Sequence, residues 1–370
     1  MKPEILKFND IENLKKFHPE LLIDDQINLA FEELFDIEYP EKKDIKLKEE
    51  VTEFTKNLAV DGQDNWGNWV YFNYLNRLVH FPPLKEHRAL RTSRNRNLIN
   101  IEEQAKLYDS SILIVGMSVG SNIVEALVSQ GIGGKLILVD MDTLEPSNLN
   151  RIRSPYYHVG LHKVEAISRK VWEIDPYIEI TAVNEGLNEE NLKKIINEQS
   201  PQIIIDEMDE LRMKIILREQ AKAAKIPVIM AADDGDDALL DIERYDINPN
   251  LSIFSGSIPA EILEQIKNNE IPRPQLGMMI GKFFVGPKNI PLRMYESLSE
   301  VGKTLPSWPQ LGGAAALSGI AIAYVSKKII LRKKINEGRI LISLDEKIDL
   351  DRLDEIHIKE LKNYQQMLEG

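Results

Sequence analysis

No cysteine occurs among the 370 residues. That absence excludes disulfide stapling, a cysteine-ligated zinc site, and any thiolate nucleophile or thioester supplied by this chain. Excess positive charge is missing too: 46 Lys and Arg stand against 59 Asp and Glu, a net charge of −13. That sign disfavours bulk electrostatic attachment to nucleic acid or an anionic membrane, although a local basic patch is compatible with it. Long apolar runs are scarce. The most apolar segment, Leu311 to Val325, is about 15 residues and rich in Gly and Ala. A bilayer span needs ~20 residues, so the segment reads as a buried helix. The N-terminal stretch MKPEILKFNDIENLKK carries charge where a secretory signal needs an apolar run. The sequence reads as that of a soluble cytoplasmic protein with no membrane partner.

At ~150 residues per domain, the length allows two or three domains or one large α/β core with extensions. Residues 1–60 are charged and mixed, with helix-like spacing in Ile27, Leu29, Phe31, Leu34 and Phe35. The segment Asp61 to His80 is denser in aromatics (Trp66, Trp69, Tyr71, Phe72, Tyr74) beside the turn formers Asp61-Gly62 and Gly67. It reads as strands or a hairpin of an accessory subdomain, with a substrate-recruiting surface as the alternative.

From Ser110 the pattern changes. Ile112 to Val115 is a continuous apolar run, as expected for a parallel strand buried on both faces. It leads into Gly116-Met117-Ser118-Val119-Gly120, a helical stretch through Ala126 to Gln130, and the break Gly131-Ile-Gly-Gly134. A second strand, Lys135 to Val139, ends at Asp140. Further strand candidates at Ile178–Val183, Ile203–Ile205 and Pro227–Ala231 alternate with helical stretches at Lys163–Trp172, Glu189–Asn197 and Leu211–Ala224. The alternation predicts an α/β fold: a doubly wound, mostly parallel Rossmann-like sheet with an accessory N-terminal region, and ligands at the carboxyl ends of its strands. Past Glu243 the pattern breaks into Pro- and Gly-rich connections, then recovers in a helix at Leu311–Leu331 and a terminal strand at Arg339–Leu344. The expected divisions are 1–87, an accessory region; 88–345, the main domain; and 346–370, a helical tail.

Glycines between a strand and a helix let the backbone turn tightly and bring amide N–H groups to a phosphate at the positive helix end. The Gly116–Gly120 loop is one residue shorter than the G-x-G-x-x-G fingerprint and has Ser118 where the second glycine would stand. Alone it is a weak signal. Asp140, 24 residues after Gly116 and at the end of the second strand, strengthens it, because a carboxylate there accepts hydrogen bonds from ribose hydroxyls. Together they indicate an adenine nucleotide without separating a redox dinucleotide from ATP. The next stretch separates them. It runs Asp140-Met-Asp142-Thr-Leu-Glu145-Pro-Ser-Asn148-Leu-Asn150-Arg151, with Lys163 twelve residues beyond Arg151 and Asp206-Glu-Met-Asp209 after the strand Ile203–Ile205. An Arg, a Lys and a carboxylate able to hold Mg²⁺ suit nucleotidyl transfer. Hydride transfer has no use for them.

Over roughly Arg91 to Leu331 the sequence resembles the ThiF/MoeB family, the adenylating domain shared with ubiquitin-activating enzymes, most specifically in its Ser-Asn-Leu-Asn-Arg string. The resemblance implies that Gly116, Ser118 and Gly120 cradle ATP phosphates, that Asp140 binds ribose, and that Asp142 is a further cofactor-binding residue. It further implies that Asn148 and Arg151 contact the phosphates, that Lys163 stabilises charge on the pentacoordinate phosphorus, and that Asp209 coordinates Mg²⁺. Arg91-Thr-Ser-Arg94-Asn-Arg96, followed by Glu102-Glu-Gln104, is similar to the family's entry segment, in which an Arg reaches the ATP of the other subunit. Matching from the left favours Arg94 and counting back from Glu103-Gln104 favours Arg96. A homodimer is implied. With no cysteine, the better analogy is to members in which an amine, amide or water attacks the acyl adenylate directly. The carboxylate substrate is left open among a peptide, a metabolite and a modified nucleoside; nucleic acid is not favoured. A non-catalytic nucleotide-binding scaffold and an NAD-dependent oxidoreductase are the alternatives.

Simpler readings stand beside these. Arg88, Arg91, Arg94 and Arg96 also fit a solvated face of mixed charge. Asp206 reads as an N–H acceptor at a strand end. Asp233-Asp234-Gly235-Asp236-Asp237 reads as a solvated loop near the site, and His158 and His162 as non-catalytic surface residues.

Overall fold

The computed structural model describes residues 2–271, 277–350 and 355–369. The chain divides into two compact units, residues 1–105 with 169–178, and residues 106–168 with 179–370.

The first unit holds a four-stranded sheet of β1 (Glu4–Leu6), β2 (Leu22–Asp24), β3 (Asn68–Phe72) and β4 (Arg77–Phe81), in the order β1-β3-β4-β2. β3 and β4 form an antiparallel hairpin in which Trp69 opposes His80, and their rings stack with centroids 4.2 Å apart. The aromatic segment thus yields the expected hairpin. Helices α1 (Ile11–Phe17), α2 (Ile27–Glu38), α3 (Lys48–Leu58) and α4 (Leu84–Arg91) complete the unit. The spacing read from the sequence buries Ile27, Phe31, Leu34 and Phe35 on α2, while Leu29 faces solvent. Ile11, Trp69, Tyr71 and Leu78 form one apolar cluster. Arg91 is not a solvated charge: its Nη1 donates to the buried Asp175 Oδ2 at 2.7 Å.

In the second unit seven strands form one sheet. They are β5 (Ser111–Val115), β6 (Lys135–Val139), β7 (Glu179–Val183), β8 (Ile203–Asp206), β9 (Val228–Asp234), β10 (Asp237–Glu243) and β11 (Gly338–Ile342). The order is β11-β10-β9-β8-β5-β6-β7, parallel from β9 to β7, with β10 and β11 added antiparallel. Every residue of β5 and β8 is buried, which explains their unbroken apolar runs. Helix α5 (Ile101–Tyr108) leads into β5, helices α6 (Val119–Ser129), α7 (Lys163–Ile174), α8 (Glu189–Gln199) and α9 (Leu211–Ala224) connect the parallel strands, and the unit boundaries fall inside α5 and α7. Beyond the sheet come α10 (Ala260–Lys267), α11 (Leu292–Leu298), α12 (Gly312–Ile330) and α13 (Glu355–Glu369).

Among the described residues α12 alone is long and apolar enough to cross a membrane, but it packs against α6, β9 and β10. A Cβ on its Gly319 would lie 2.7 Å from the Asn122 carbonyl oxygen of α6, and one on Gly312 would lie 2.2 Å from the Asn150 carbonyl oxygen. Small residues are what let the two backbones meet. One expectation is corrected: Asp233 to Asp237 is not a solvated loop but the tip of the β9–β10 hairpin, with Asp234 and Asp237 buried. The two-residue turn Gly235-Asp236, with Gly235 at φ +65°, makes the reversal, and Asp234 and Asp237 pair across it.

Candidate functional site

In an open α/β sheet the crevice lies beyond the carboxyl ends of the strands, where the strand order reverses. Here that point is between β5 and β8. Gly116 leaves β5 at φ +91°, and a Cβ on it would sit 2.2 Å from the Glu207 carbonyl oxygen that follows β8. Only glycine permits both the turn and the approach. The loop is braced by Asp140 at the end of β6, whose Oδ2 accepts from Met117 N at 2.6 Å and whose Oδ1 accepts from Asp142 N at 2.8 Å. Gly120 lies in the first turn of α6 and faces inward; a Cβ on it would lie 3.2 Å from Ile114 Cγ2. It serves close helix–strand packing.

Ser118 caps α6, and its Oγ accepts from Arg151 Nε at 2.9 Å. The Arg151 carbonyl accepts from Asn122 Nδ2 at 2.9 Å, and Nη1 donates to Asn150 Oδ1 at 2.9 Å. Lys163 begins α7; it is 8% exposed, and its Nζ donates to Asp142 Oδ2 at 2.8 Å. Gly116, Ser118, Asp140, Asp142, Lys163 and Asp209 line one crevice, with Arg151 joined to it through Ser118. Asn148 is elsewhere: it is buried, and its Oδ1 accepts from Glu145 N at 3.1 Å to close a turn. Arg94 and Arg96 are exposed residues of the first unit, flanking Asn95 in and after a short turn at Ser93–Asn95.

Glu207 and a buried ion network were not singled out in the sequence, and Asp233 was read there only as part of a solvated loop. Glu207 lines the crevice and its Oε1 accepts from Ala231 N at 2.9 Å. Burial raises its carboxyl above the usual range, against the opposing pull of Lys214. Burial also raises Asp233, with Arg151 opposing and Asp209 adding to the rise, so these groups share one electrostatic environment. Asp206 does more than accept N–H groups. It is fully buried between Lys214 Nζ at 3.1 Å and Arg218 Nη1 at 2.5 Å, while Arg218 Nε donates to Glu243 Oε2 at 2.6 Å. Burial pushes the Asp206 carboxyl up, and the two cations more than offset it. His158 is likewise no surface residue: it is 3% exposed, with Nδ1 3.0 Å from Ser154 Oγ.

The donor set fits a nucleotide with Mg²⁺. The Gly116 turn admits no Cβ, the α6 N-terminus faces a loop braced by Asp140, and exposed Asp209 stands on the crevice wall. Among the described residues there is no group of three or more His, Asp or Glu able to hold a metal. Mg²⁺ is commonly held by one or two carboxylates plus substrate phosphates, and Asp209 is the residue that would hold it here.

At its switch point this open, mostly parallel α/β sheet carries a glycine turn, the carboxylates of Asp140 and Asp209 and the Lys163 ammonium. Residues 92–235 match the model of the ThiF family. An uncharacterized protein of Mycobacterium tuberculosis, MT1398, is 33% identical over 290 residues, 78% of this chain and 39% of that protein. The Escherichia coli molybdopterin-synthase adenylyltransferase is 34% identical over 145 residues, 37% of this chain and 57% of that enzyme. The Escherichia coli tRNA threonylcarbamoyladenosine dehydratase is 28% identical over 163 residues, 44% of this chain and 59% of that enzyme. The chain thus spans less than two thirds of the length of each.

Proposed function

We propose that this protein is an ATP- and Mg²⁺-dependent adenylyltransferase that activates a substrate carboxylate. The observation that carries the reading is the convergence of Gly116, Asp140, Asp142, Lys163 and Asp209 on one crevice, with Arg151 tied to its loop. Its relatives named for adenylyl transfer support it. A carboxylate oxygen bonds to the α-phosphorus as the bond to the bridging oxygen of the β-phosphate breaks, and pyrophosphate leaves. The Lys163 ammonium and the Arg151 guanidinium offset the charge that builds on the phosphoryl oxygens. Asp209 would hold Mg²⁺ together with the phosphates, and the ion would supply further positive charge there. An amine, amide or water then attacks the acyl carbon, the acyl–oxygen bond breaks, and AMP leaves. No thioester forms on this chain, which has no cysteine. Arg94 or Arg96 serving a second subunit's ATP, and a homodimer, belong to the same proposal.

Titration calorimetry with ATP and Mg²⁺, followed by carboxylate-dependent exchange of labelled pyrophosphate into ATP, tests it. Binding with exchange is expected. Binding without exchange for any carboxylate favours a scaffold, and preference for NAD over ATP favours a redox enzyme.

A further inference from the structure

A second cleft, of about 550 Å³, opens beside the nucleotide crevice, and Asp209 and Glu210 line both. Its size falls in the range of small-molecule sites. Its apolar wall is Leu211, Ile266, Ile271 and Ile280. Leu211, Ile266 and Ile271 belong to a cluster with Phe254, Ile258 and Phe284, so the floor is backed by packed side chains.

The polar side chains at this cleft are largely committed elsewhere. Glu210 caps α9, accepting from Arg212 N at 3.2 Å and Met213 N at 2.7 Å. The Arg212 guanidinium donates to Glu189 Oε1 at 2.6 Å and to the Lys267 carbonyl at 3.1 Å. Asn269 is exposed at the rim. What the cleft offers a ligand is therefore aliphatic surface, contiguous with the carboxylate assigned to the metal and phosphates.

We propose, resting on the adenylyltransferase reading, that this cleft is the acyl subsite: it takes an aliphatic side chain or tail next to the carboxylate being activated. The substrate class is then a carboxylate with an apolar group close to its acyl carbon. Asp209 marks the junction, with the reacting carboxyl on its crevice side and the apolar group on the other.

N-acetyl-leucine, N-acetyl-aspartate, octanoate and acetate serve as probes, each titrated by calorimetry with and without ATP and Mg²⁺, and each assayed in pyrophosphate exchange. N-acetyl-leucine and octanoate are expected to bind at least about tenfold more tightly than their polar or short counterparts, the effect of burying one aliphatic side chain. Ile280 is 39% exposed, so Ile280→Asp leaves the fold intact. It is expected to weaken both apolar probes about tenfold at unchanged ATP affinity and unchanged Tm, with Ile280→Leu restoring them. Equal binding of N-acetyl-leucine and N-acetyl-aspartate, no binding of either apolar probe, or indifference to Ile280→Asp each overturns the assignment. Loss of ATP binding alone, with N-acetyl-leucine still bound and still sensitive to Ile280→Asp, removes the adenylyltransferase reading and retains an apolar carboxylate site.

Discussion

Arg151 donates from Nε to the Oγ of Ser118 at 2.9 Å, so the residue that breaks the glycine pattern is the one that fastens two loops of the site. Glycine at 118 would leave Arg151 free to wander from the crevice. Ser118→Ala keeps the Cβ and deletes the acceptor. A hydrogen bond to a charged group contributes up to about 1.5–3 kcal/mol, less where solvent reaches it, as it does at half-buried Arg151. ATP affinity and pyrophosphate exchange are expected to fall roughly fivefold in Ser118→Ala. Unchanged exchange would show that the pair does not organise the phosphate loop.

Lys163 and Asp209 bear more directly on the chemistry. Each is expected to contribute about 3 kcal/mol to the transition state, so Lys163→Ala and Asp209→Asn should each lose on the order of 10²-fold in exchange. Asp142 pairs with the Lys163 ammonium at 2.8 Å but is itself exposed, so Asp142→Asn should cost less than tenfold. Retained exchange in both severe variants would remove these roles.

Gly116 tests the cradle by stability instead of rate. Alanine there meets φ +91° and a carbonyl oxygen 2.2 Å from its Cβ. The strain and the backbone shift together should cost about 3 kcal/mol, lowering Tm by roughly 4 °C in a chain of this size. A thermal melt of Gly116→Ala within 1–2 °C of wild type would mean that β8 yields freely and that the approach has no structural weight.

Much of this site was legible in the sequence because its parts are local. The buried strands β5 and β6 announce themselves by continuous apolar runs, and each hands over directly to Gly116 or Asp140. What stayed hidden depends on partners distant in the chain. Arg218 meets Asp206 and Glu243 only after α9 and β10 have packed, and nothing in the spacing of the three marks the network. The hairpin at Gly235-Asp236 did carry a turn signal, but the number of carboxylates pointed toward solvent. Asn148 sits in the most specific motif of the chain, yet its side chain closes a turn. A motif fixes residue identity without fixing which atom faces the ligand.

Asp234 gives a pH dependence with a definite sign. Burial, with Asp237 opposite and Asp233 adjacent, raises its carboxyl to about 7. The folded state therefore holds a proton that the unfolded chain releases near ~4, so between those values the contribution of this group to stability falls as pH rises. Asp234→Asn removes the buried charge and leaves an amide that donates toward Asp237. The variant should match wild type near pH 4 and melt several degrees higher at pH 8. Equal melting temperatures at pH 8 would mean that Asp234 is ionised at no cost, through a partner or water reaching its unpaired Oδ2.

Arg218 decides whether the buried network is structural ballast or the anchor of the acidic turn. Its guanidinium is fully buried, donates to Asp206 and Glu243, and lies 3.9 Å from the Phe254 ring centroid. Glu243 in turn accepts from Phe254 N at 2.6 Å and from the Tyr245 hydroxyl. Arg218→Met keeps the bulk but takes the guanidinium from Glu243 and leaves Asp206 with Lys214, and breaking a buried pair in this way costs about 3–5 kcal/mol. The triple variant Arg218→Met, Asp206→Asn, Glu243→Gln removes the charges together and should recover most of that stability. Activity should recover only in part, because Asp206 Oδ1 also accepts from Met208 N at 3.3 Å and a neutral amide oxygen accepts more weakly than a carboxylate, which loosens the turn that presents Asp209. A triple variant that regains both stability and exchange would assign the network to folding alone.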